Sequence, residues 1–333
     1  MTRVAVFDTK KYDREILGET LIAAGLDVKF REYRLNSETV DTVGDDIDVV
    51  CVFVNDHLDR EGIKILAEKG VRMIALRCAG FNGVDLEAAR DFGIVVARVP
   101  AYSPYAVAEH AVTLALALNR RIPQANRRVR EMNFALEGLV GFDMHGKTAG
   151  LIGTGKIGKV TAEIFKGFGM RVILWDPYPD LAWAEEHGLE YVTLSEIGRE
   201  ADIVSLHVPL FPETEHIIND LVLAALKPGV ILINVSRGGL VDTVALIEAL
   251  KSGHVGGVGL DVYEEEEGKF FEDLSGEVMT DDVLARLMTF PNVIVTAHQA
   301  FLTKEALEQI ATVTTENIVA FTSGGSPPEE RLL

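Results

Sequence analysis

The sequence predicts an α/β protein built on doubly wound parallel sheets, and three observations support this. Short apolar runs of strand length alternate with helix-compatible stretches along most of the chain, as in doubly wound folds. The length of 333 residues favours two domains at about 150 residues each. Hydrophobic residues make up 48% of the chain and charged residues 25%, so enough apolar surface exists for a large core.

The first half of the chain contains five strand candidates. They are residues 4–7, 28–30, 49–54, 73–76 and 95–96. Between the first two, Ile16, Thr20 and Ala24 recur at a spacing of four, as one buried helix face requires. Residues 109–119 predict a helix that is apolar on nearly all sides, which we expect to be buried between two domains or at a subunit interface. Five arginines between positions 120 and 130 follow it, and we interpret them as a solvated helix face or an oligomer contact.

The second half repeats the alternation of strands and helices. Its strand candidates are residues 148–152, 172–175, 203–208, 230–235, 255–260 and 293–296. A last helix is predicted at 304–321, where Leu307, Ile310 and Thr314 have core spacing, and the end of the chain is rich in Gly, Pro and Ser.

Composition narrows the classes of function. The net charge of -19 disfavours nucleic acid and anionic membrane surfaces as partners. We expect Cys51 and Cys78 to be small buried thiols, because each lies in an apolar stretch. With no secretory signal and no apolar run near the roughly 18–20 residues of a membrane span, we expect a cytoplasmic protein. No CxxC, HxH or HExxH spacing occurs, so we expect no metal site.

Residues 153–158 form a G-x-G-x-x-G motif whose context predicts dinucleotide binding. A strand precedes the motif and a helical stripe follows it, so Gly153, Gly155 and Gly158 would let a pyrophosphate approach the backbone N–H groups at the helix N-terminus. The next strand ends in Asp176, near the spacing expected for an acid that binds the adenosine ribose hydroxyls. No Arg follows Asp176 within residues 177–180, so NAD is favoured over NADP.

Polar side chains follow the later strands, at the edge where open α/β sheets bind their ligands. These segments are residues 207–209, 236–239, 261–266 and 297–299. Arg237 could hold a carboxylate through two parallel hydrogen bonds, and His298 could give a proton to a ketone oxygen. A carboxylate from the run 264–267 could fix the imidazole tautomer. The remaining histidines, His57, His110, His145, His187, His216 and His254, have no comparable context and are assigned to surface or core.

Several motifs in the same order resemble the D-isomer-specific 2-hydroxyacid dehydrogenase family, in particular its NAD-dependent branch from fermentative bacteria. They cover essentially the whole chain, and lie at residues 77–85, 99–104, 107–110, 153–158, 234–238, 259–264 and 296–303. The resemblance implies two Rossmann-like domains, with an NAD-binding domain at 102–299 inserted into a substrate domain made of 1–101 and 300–333.

The resemblance also implies the roles of individual residues. The catalytic set would be Arg237, Glu266 and His298, where Glu266 is chosen because the family's glutamate lies five positions after Asp261. The substrate would contact Ala79, Gly80, Tyr102, Arg237 and Phe301. The NAD contacts would be Gly153, Gly155, Lys156, Ile157, Gly158, Asp176, Val208, Pro209, Val235, Ser236, Arg237 and Asp261.

The implied activity is reversible reduction of pyruvate to D-lactate with NADH, in a homodimer or homotetramer. One alternative is a related dehydrogenase for a bulkier 2-ketoacid or for hydroxypyruvate. Formate dehydrogenase is less favoured, since that chemistry needs no proton donor. A different class, an NAD-sensing binding protein or corepressor on the same fold, stays open because fold does not fix function.

Overall fold

The computed structural model describes residues 2–333 and divides into two compact units. Unit 1 comprises Met1–Ser103 and Leu302–Leu333, and unit 2 comprises Pro104–Phe301. The sequence placed the first junction after residue 101 and the second after residue 299. Both junctions lie two residues further along the chain, so Tyr102 belongs to unit 1 and Phe301 to unit 2.

Unit 1 is built on a five-stranded parallel sheet. Its strands are β1 (Arg3–Val6), β2 (Asp27–Phe30), β3 (Val49–Val52), β4 (Met73–Leu76) and β5 (Val95–Arg98). The strand order is β2-β1-β3-β4-β5, one of the two common doubly wound orders. Every residue of β3 and β4 is buried, as expected for central strands covered by helices on both faces.

Unit 2 is built on a seven-stranded parallel sheet. Its strands are β6 (Thr148–Ile152), β7 (Arg171–Trp175), β8 (Glu190–Tyr191), β9 (Ile203–Leu206), β10 (Val230–Asn234), β11 (Val255–Leu260) and β12 (Val293–Val295). Its order, β12-β11-β10-β9-β6-β7-β8, reverses direction between β6 and β9. In open α/β sheets this reversal opens a crevice at the carboxyl ends of the strands, where ligands bind.

Thirteen helices connect the strands of the described residues. They are α1 (Lys11–Glu15), α2 (Leu17–Ala23), α3 (Arg60–Glu68), α4 (Leu86–Asp91), α5 (Pro104–Asn119), α6 (Ile122–Arg130), α7 (Lys156–Gly167), α8 (Leu181–Glu186), α9 (Leu194–Glu200), α10 (Asp220–Ala225), α11 (Thr243–Lys251), α12 (Asp282–Met288) and α13 (Lys304–Thr322). Several begin at a side chain that accepts a hydrogen bond from the first turn, such as Asp59, Asp242 and Thr303. These caps satisfy N–H groups that the helix itself leaves free.

The predicted strands are confirmed to within two residues, with one omission. β3 ends at Val52 rather than at residue 54, because the Phe53 N–H turns to donate to the Asp56 carboxylate. β8 was not predicted, because two residues at a sheet edge leave no periodic signal. Both cysteines are buried thiols, as expected, and neither is in a disulfide. Burial raises the pKa of Cys51 to about 12. Among residues 2–333 no helix is long and apolar enough to cross a membrane, and no cluster of His, Cys, Asp or Glu is placed to hold a metal ion.

The long apolar helix α5 has a different environment from the one expected. It packs on α7, β10 and β11 within unit 2, where Ala108, Ala111 and Ala115 are fully buried. Gly259 of β11 makes room for it, since a Cβ there would lie 3.0 Å from the Cβ of Leu114. The apolar surface of α5 is therefore covered by its own sheet, and a subunit or domain interface is not needed to explain it.

Unit 1 contains a buried ionic cluster at the carboxyl ends of its strands. The Arg77 guanidinium, 1% exposed, donates from Nε to Asp13 Oδ1 at 3.2 Å and from Nη2 to the Asp8 carbonyl at 2.9 Å. It also stacks on the Phe53 ring at 4.7 Å. Asp56 is buried nearby, and this burial raises its pKa to about 6, although the Arg77 charge opposes the shift. Arg77 is thus the cation that makes several buried acidic groups tolerable.

We predict that Arg77→Met destabilises the protein by about 3–5 kcal/mol, because it leaves buried carboxylates without their cation. The double variant Arg77→Met/Asp13→Asn should recover part of this loss, since one unpaired charge is then removed. Urea unfolding measures both effects. The control is Arg72→Met, whose side chain is 62% exposed, pairs with Asp48 at the surface and lies over the Phe321 ring. An Arg77→Met protein as stable as this control would contradict the role of the cluster.

Candidate active site

The glycine loop joins β6 to α7 at the point where the strand order of unit 2 reverses. Gly153 has a φ of +104°, and a Cβ on it would lie 2.5 Å from the His207 carbonyl carbon. A Cβ on Gly158 would lie 2.1 Å from the Gly153 carbonyl oxygen. Gly155, the N-cap of α7, has no neighbouring atom within 4 Å of its Cβ position. Two glycines therefore permit close packing, and the third leaves open space before the free N–H groups of a helix.

Asp176 is held at the end of β7, beside a cleft. Its Oδ2 accepts hydrogen bonds from Thr154 N at 2.6 Å and Thr154 Oγ1 at 3.0 Å, and its Oδ1 accepts from Tyr178 N at 2.8 Å. The cleft has a volume of about 520 Å³ and is lined by Trp175, Pro179, Tyr191 and Leu194 among others, with no Lys or Arg. Such a lining suits an adenine ring and a free ribose hydroxyl rather than a 2′-phosphate.

Arg237 follows β10 in a loop that the neighbouring chain segments fix. The buried Asn234 side chain donates to the Arg237 carbonyl at 2.8 Å and accepts from Ser236 N at 3.1 Å. Ser236 Oγ donates to the Val208 carbonyl at 2.6 Å. A Cβ on Gly238 would lie 2.1 Å from the Tyr263 carbonyl carbon, so this loop packs directly on the one after β11.

Glu266 and His298 form a hydrogen-bonded pair at the ends of β11 and β12. Glu266 Oε1 lies 2.8 Å from His298 Nδ1, and the two side chains are 20% and 18% exposed. The second carboxylate oxygen accepts from Tyr263 N at 3.0 Å. With Nδ1 donating to the carboxylate, Nε2 is the ring nitrogen left to face a ligand. Arg237, Glu266 and His298 thus follow three adjacent strands, β10, β11 and β12.

Comparison with known proteins identifies the family. The model of the "D-isomer specific 2-hydroxyacid dehydrogenase, NAD binding domain" matches residues 112–300. The chain belongs to the D-isomer specific 2-hydroxyacid dehydrogenases.

Individual relatives match over nearly the whole chain. The D-lactate dehydrogenase of Escherichia coli is 49% identical over 98% of this chain and 99% of its own. A solved structure of the pyruvate reductase of Chlamydomonas reinhardtii is 44% identical, with a TM-score of 0.93 over 99% of this chain and 98% of that one. The structure of D-lactate dehydrogenase with NAD+ from Lactobacillus jensenii is 34% identical, with a TM-score of 0.83 over 100% and 99% of the two chains.

This dehydrogenase uses NAD, and the residues of unit 2 fit that cofactor. The open space at Gly155 can take the pyrophosphate, with exposed Lys156 and half-buried Ile157 beside it in the first turn of α7. The Asp176 carboxylate and its cleft can take the adenosine. Val208 and Val235 are buried and Pro209 is exposed at the same edge of the sheet, so contacts of the two valines would come through their backbones.

Asp261, one of the expected cofactor contacts, is fixed by several hydrogen bonds at the end of β11. The residue is fully buried, and its carboxylate accepts from Thr296 Oγ1 at 2.5 Å and from the N–H groups of Gln299 and Ala300 at 2.9 Å each. Burial alone would raise the pKa of Asp261, but these bonds and His110 outweigh it and hold the pKa below its ordinary value. Asp261 therefore holds the loop that carries His298. Its role as an NAD contact stays a prediction.

Two further histidines lie near this edge with different roles. His110, which sequence reasoning assigned to surface or core, lies with Nε2 3.1 Å from Thr296 Oγ1 and 3.4 Å from Asp261 Oδ1. No sequence spacing could have revealed this contact, because α5 is far from β11 along the chain. His207 Nδ1 is shielded from solvent, and burial lowers the pKa of His207 to about 3, so this ring stays neutral and cannot donate a proton at neutral pH.

The expected substrate contacts fall in both units. In unit 1, the Ala79 carbonyl accepts from Arg98 at 2.9 Å and the Gly80 carbonyl from Cys78 Sγ at 3.2 Å. Among the described residues, the N–H groups of Ala79 and Gly80 donate to no acceptor within the chain. Tyr102 is half-buried in unit 1, and Phe301 is buried in unit 2 directly after Ala300.

We predict that Gly155→Ala folds normally but raises the Kd of NADH about tenfold or more, because its Cβ occupies the open space that a pyrophosphate needs. Gly158→Ala should instead lower stability by about 1–3 kcal/mol through its clash with Gly153. Quenching of protein fluorescence by NADH and thermal unfolding separate the two effects. Gly167→Ala at the other end of α7 is the control, since its Cβ position is also open. Unchanged NADH affinity in Gly155→Ala would contradict the assignment of the loop.

Proposed function

We propose that this enzyme is a D-lactate dehydrogenase that reduces pyruvate to D-lactate with NADH and catalyses the reverse oxidation. The observation that carries the proposal is the pair formed by Glu266 and His298, which lies next to the Arg237 loop at the edge of the nucleotide-binding sheet. The similar full-length proteins named above, a D-lactate dehydrogenase and a pyruvate reductase, support pyruvate as the substrate.

The side chains of this site divide the chemistry between charge and proton transfer. NADH, which the glycine loop and Asp176 would hold, would supply the hydride for the carbonyl carbon of the ketoacid. Arg237 binds the substrate and stabilises the negative charge that develops on the ketone oxygen. His298 donates the proton from Nε2 to this oxygen, and Glu266 stabilises the imidazolium from the Nδ1 side. In the oxidation of D-lactate, the neutral imidazole takes the hydroxyl proton back.

We assign the carboxylate of the substrate to the loop at Ala79 and Gly80. Their N–H groups donate to no acceptor within the described chain, and N–H groups in such a turn can bind an anion. Tyr102 and Phe301 are proposed to contact the rest of the substrate. Residues of unit 1 would thus act as the substrate domain, and unit 2 as the NAD-binding domain.

The substrate is tested by following NADH absorbance with a panel of ketoacids: pyruvate, 2-ketobutyrate, 2-ketoisocaproate, phenylpyruvate and hydroxypyruvate. We expect the highest kcat/KM with pyruvate, and a product that only a D-specific lactate assay detects. Preference for a bulky ketoacid would keep the mechanism and change the substrate. Binding of NADH without turnover of any ketoacid would favour an NAD-sensing protein instead.

We predict that His298→Gln lowers kcat by about 10²–10⁴-fold, because the proton donor is lost, while NADH still binds. Arg237→Lys should also lose most of its kcat/KM, since an ammonium cannot reproduce the two parallel hydrogen bonds of a guanidinium. Steady-state kinetics and NADH titration measure both. His254→Gln is the matched control, because the His254 ring hydrogen-bonds the Leu226 carbonyl and is not among the proposed site residues. Near-normal turnover in His298→Gln would remove this residue as the acid.

A second copy of the chain is the proposed partner, and α6 carries the surface for it. No residue of α6 is buried, and its basic side chains contrast with the net charge of -19. Large apolar side chains on α6 and just after it are more than half exposed: Ile122, Val129, Met132, Phe134, Leu136 and Val140. A monomer rarely leaves so many apolar residues together in water, and an acidic second copy would complement the arginines.

A cytoplasmic location of the protein stays a prediction.

We predict that the wild type sediments as a dimer or tetramer, and that Phe134→Asp/Leu136→Asp shifts it towards monomer because charges are buried in the interface. Analytical ultracentrifugation measures the mass of each. Leu221→Asp is the control, since Leu221 is 76% exposed on α10, away from this surface. A wild-type monomer, or a double variant that assembles as the wild type does, would contradict the proposal.

A further inference from the structure

The acidic loop between β11 and α12 is tied at both ends by side chains. The Tyr263 hydroxyl donates to both oxygens of Asp281, at 3.0 and 3.1 Å. Lys269 Nζ lies 3.2 Å from Asp281 Oδ2 and donates to the Glu265 carbonyl at 2.6 Å. Asp281 also caps α12 by accepting from Leu284 N at 2.9 Å. The side chains of Tyr263, Lys269 and Asp281 therefore connect the two ends of this acidic loop.

Within this loop, Phe271 lies against the imidazole of His298. The ring centroids are 5.9 Å apart and the ring planes are inclined by 33°. Phe271 has a φ of +67° and His298 a φ of +53°. A left-handed backbone is uncommon for bulky side chains, and it persists where the surroundings hold it in place. Here two such residues contact each other, so the loop is shaped to bring this one ring to the imidazole.

We propose that Phe271 is a positioning residue for His298, an inference that rests on the proposed role of His298 as proton donor. Glu266 contacts a single atom of the ring, Nδ1, which leaves the imidazole free to tilt about this bond. The aromatic ring of Phe271 restricts the tilt from one face. It also keeps water away from the Glu266 pair, where a lower local dielectric strengthens the hydrogen bond.

The geometry of the contact agrees with this role. The flat ring of Phe271 lies inclined beside the imidazole, where it can limit how far the imidazole tilts. Aromatic rings also prefer tilted or offset contacts over a face-to-face sandwich, as found here. Leucine would fill much of the same space, but it lacks the flat, electron-rich face. The proposal therefore requires an aromatic ring at position 271, and a non-aromatic side chain of similar volume is not sufficient.

The test compares Phe271→Ala and Phe271→Leu with Phe271→Tyr, which keeps the ring. Val278→Ala is the control, because Val278 lies in the same loop and is 86% exposed. Two readouts are needed. One is steady-state kinetics with pyruvate and NADH. The other is the proton resonance of His298 Nδ1–H in 15N-histidine-labelled protein without cofactor, where a slowly exchanging downfield signal reports the bond to Glu266.

We expect Phe271→Ala to lower kcat about tenfold with little change in the KM of pyruvate or the Kd of NADH, as misplacement of a reacting group does. Its Nδ1–H resonance should be lost to solvent exchange. Phe271→Leu should behave similarly, while Phe271→Tyr and the control keep both kcat and the signal. The Phe271→Leu variant is included because leucine should keep the loop packed even if Phe271→Ala unfolds it.

Two results would overturn the proposal: an unchanged Nδ1–H signal in both Phe271→Ala and Phe271→Leu, or a loss of NADH binding that parallels the loss of kcat. The second would mean that the whole site had collapsed. Failure of the proposed function has a different signature, since the wild type would then reduce no ketoacid while the Nδ1–H signal still depended on Phe271.

Discussion

The buried carboxylate of Asp261 is the interaction on which the geometry of the active site depends. An unpaired charge in a protein interior is costly, so each oxygen needs donors. Thr296 and the N–H groups of Gln299 and Ala300 provide them, and the Asp261 carbonyl accepts from His298 N at 2.7 Å. These bonds fix the loop after β12 to the end of β11. His298 has a left-handed backbone conformation within this loop, and its ring Nδ1 contacts Glu266.

Unit 1 also contains a buried ion at the carboxyl edge of its sheet, and there the ion is a cation. Arg77 is buried at the end of β4, where Asp13 and the Asp8 carbonyl bind its guanidinium. It directly precedes the loop that carries Ala79 and Gly80, so a buried ion again lies beside a loop at the carboxyl edge of a parallel sheet.

Two histidines at this edge of the sheet have different environments. His207 and His298 both follow strands of the same sheet, yet burial lowers the pKa of His207 to about 3 while a carboxylate accompanies His298. The glycine loop shows a similar division between identical residues. Gly153 and Gly158 are required by the packing of the chain, and Gly155 by the space that it leaves open. A sequence motif identifies such glycines as a group, and only their contacts in the structure show which of them the packing requires.

The sequence by itself determined the two parallel sheets, the glycine loop and the strand ends that carry Arg237 and His298. These follow from local patterns, and parallel topology brings the carboxyl ends of neighbouring strands together whatever their side chains. Spacing alone left Glu266 undistinguished within the run 264–267, and the family resemblance selected it. Only the tertiary structure decided that Asp261 is buried, that α5 is covered within its own unit and that Phe271 meets His298. Each of these contacts joins residues far apart along the chain, so no periodicity or spacing records it.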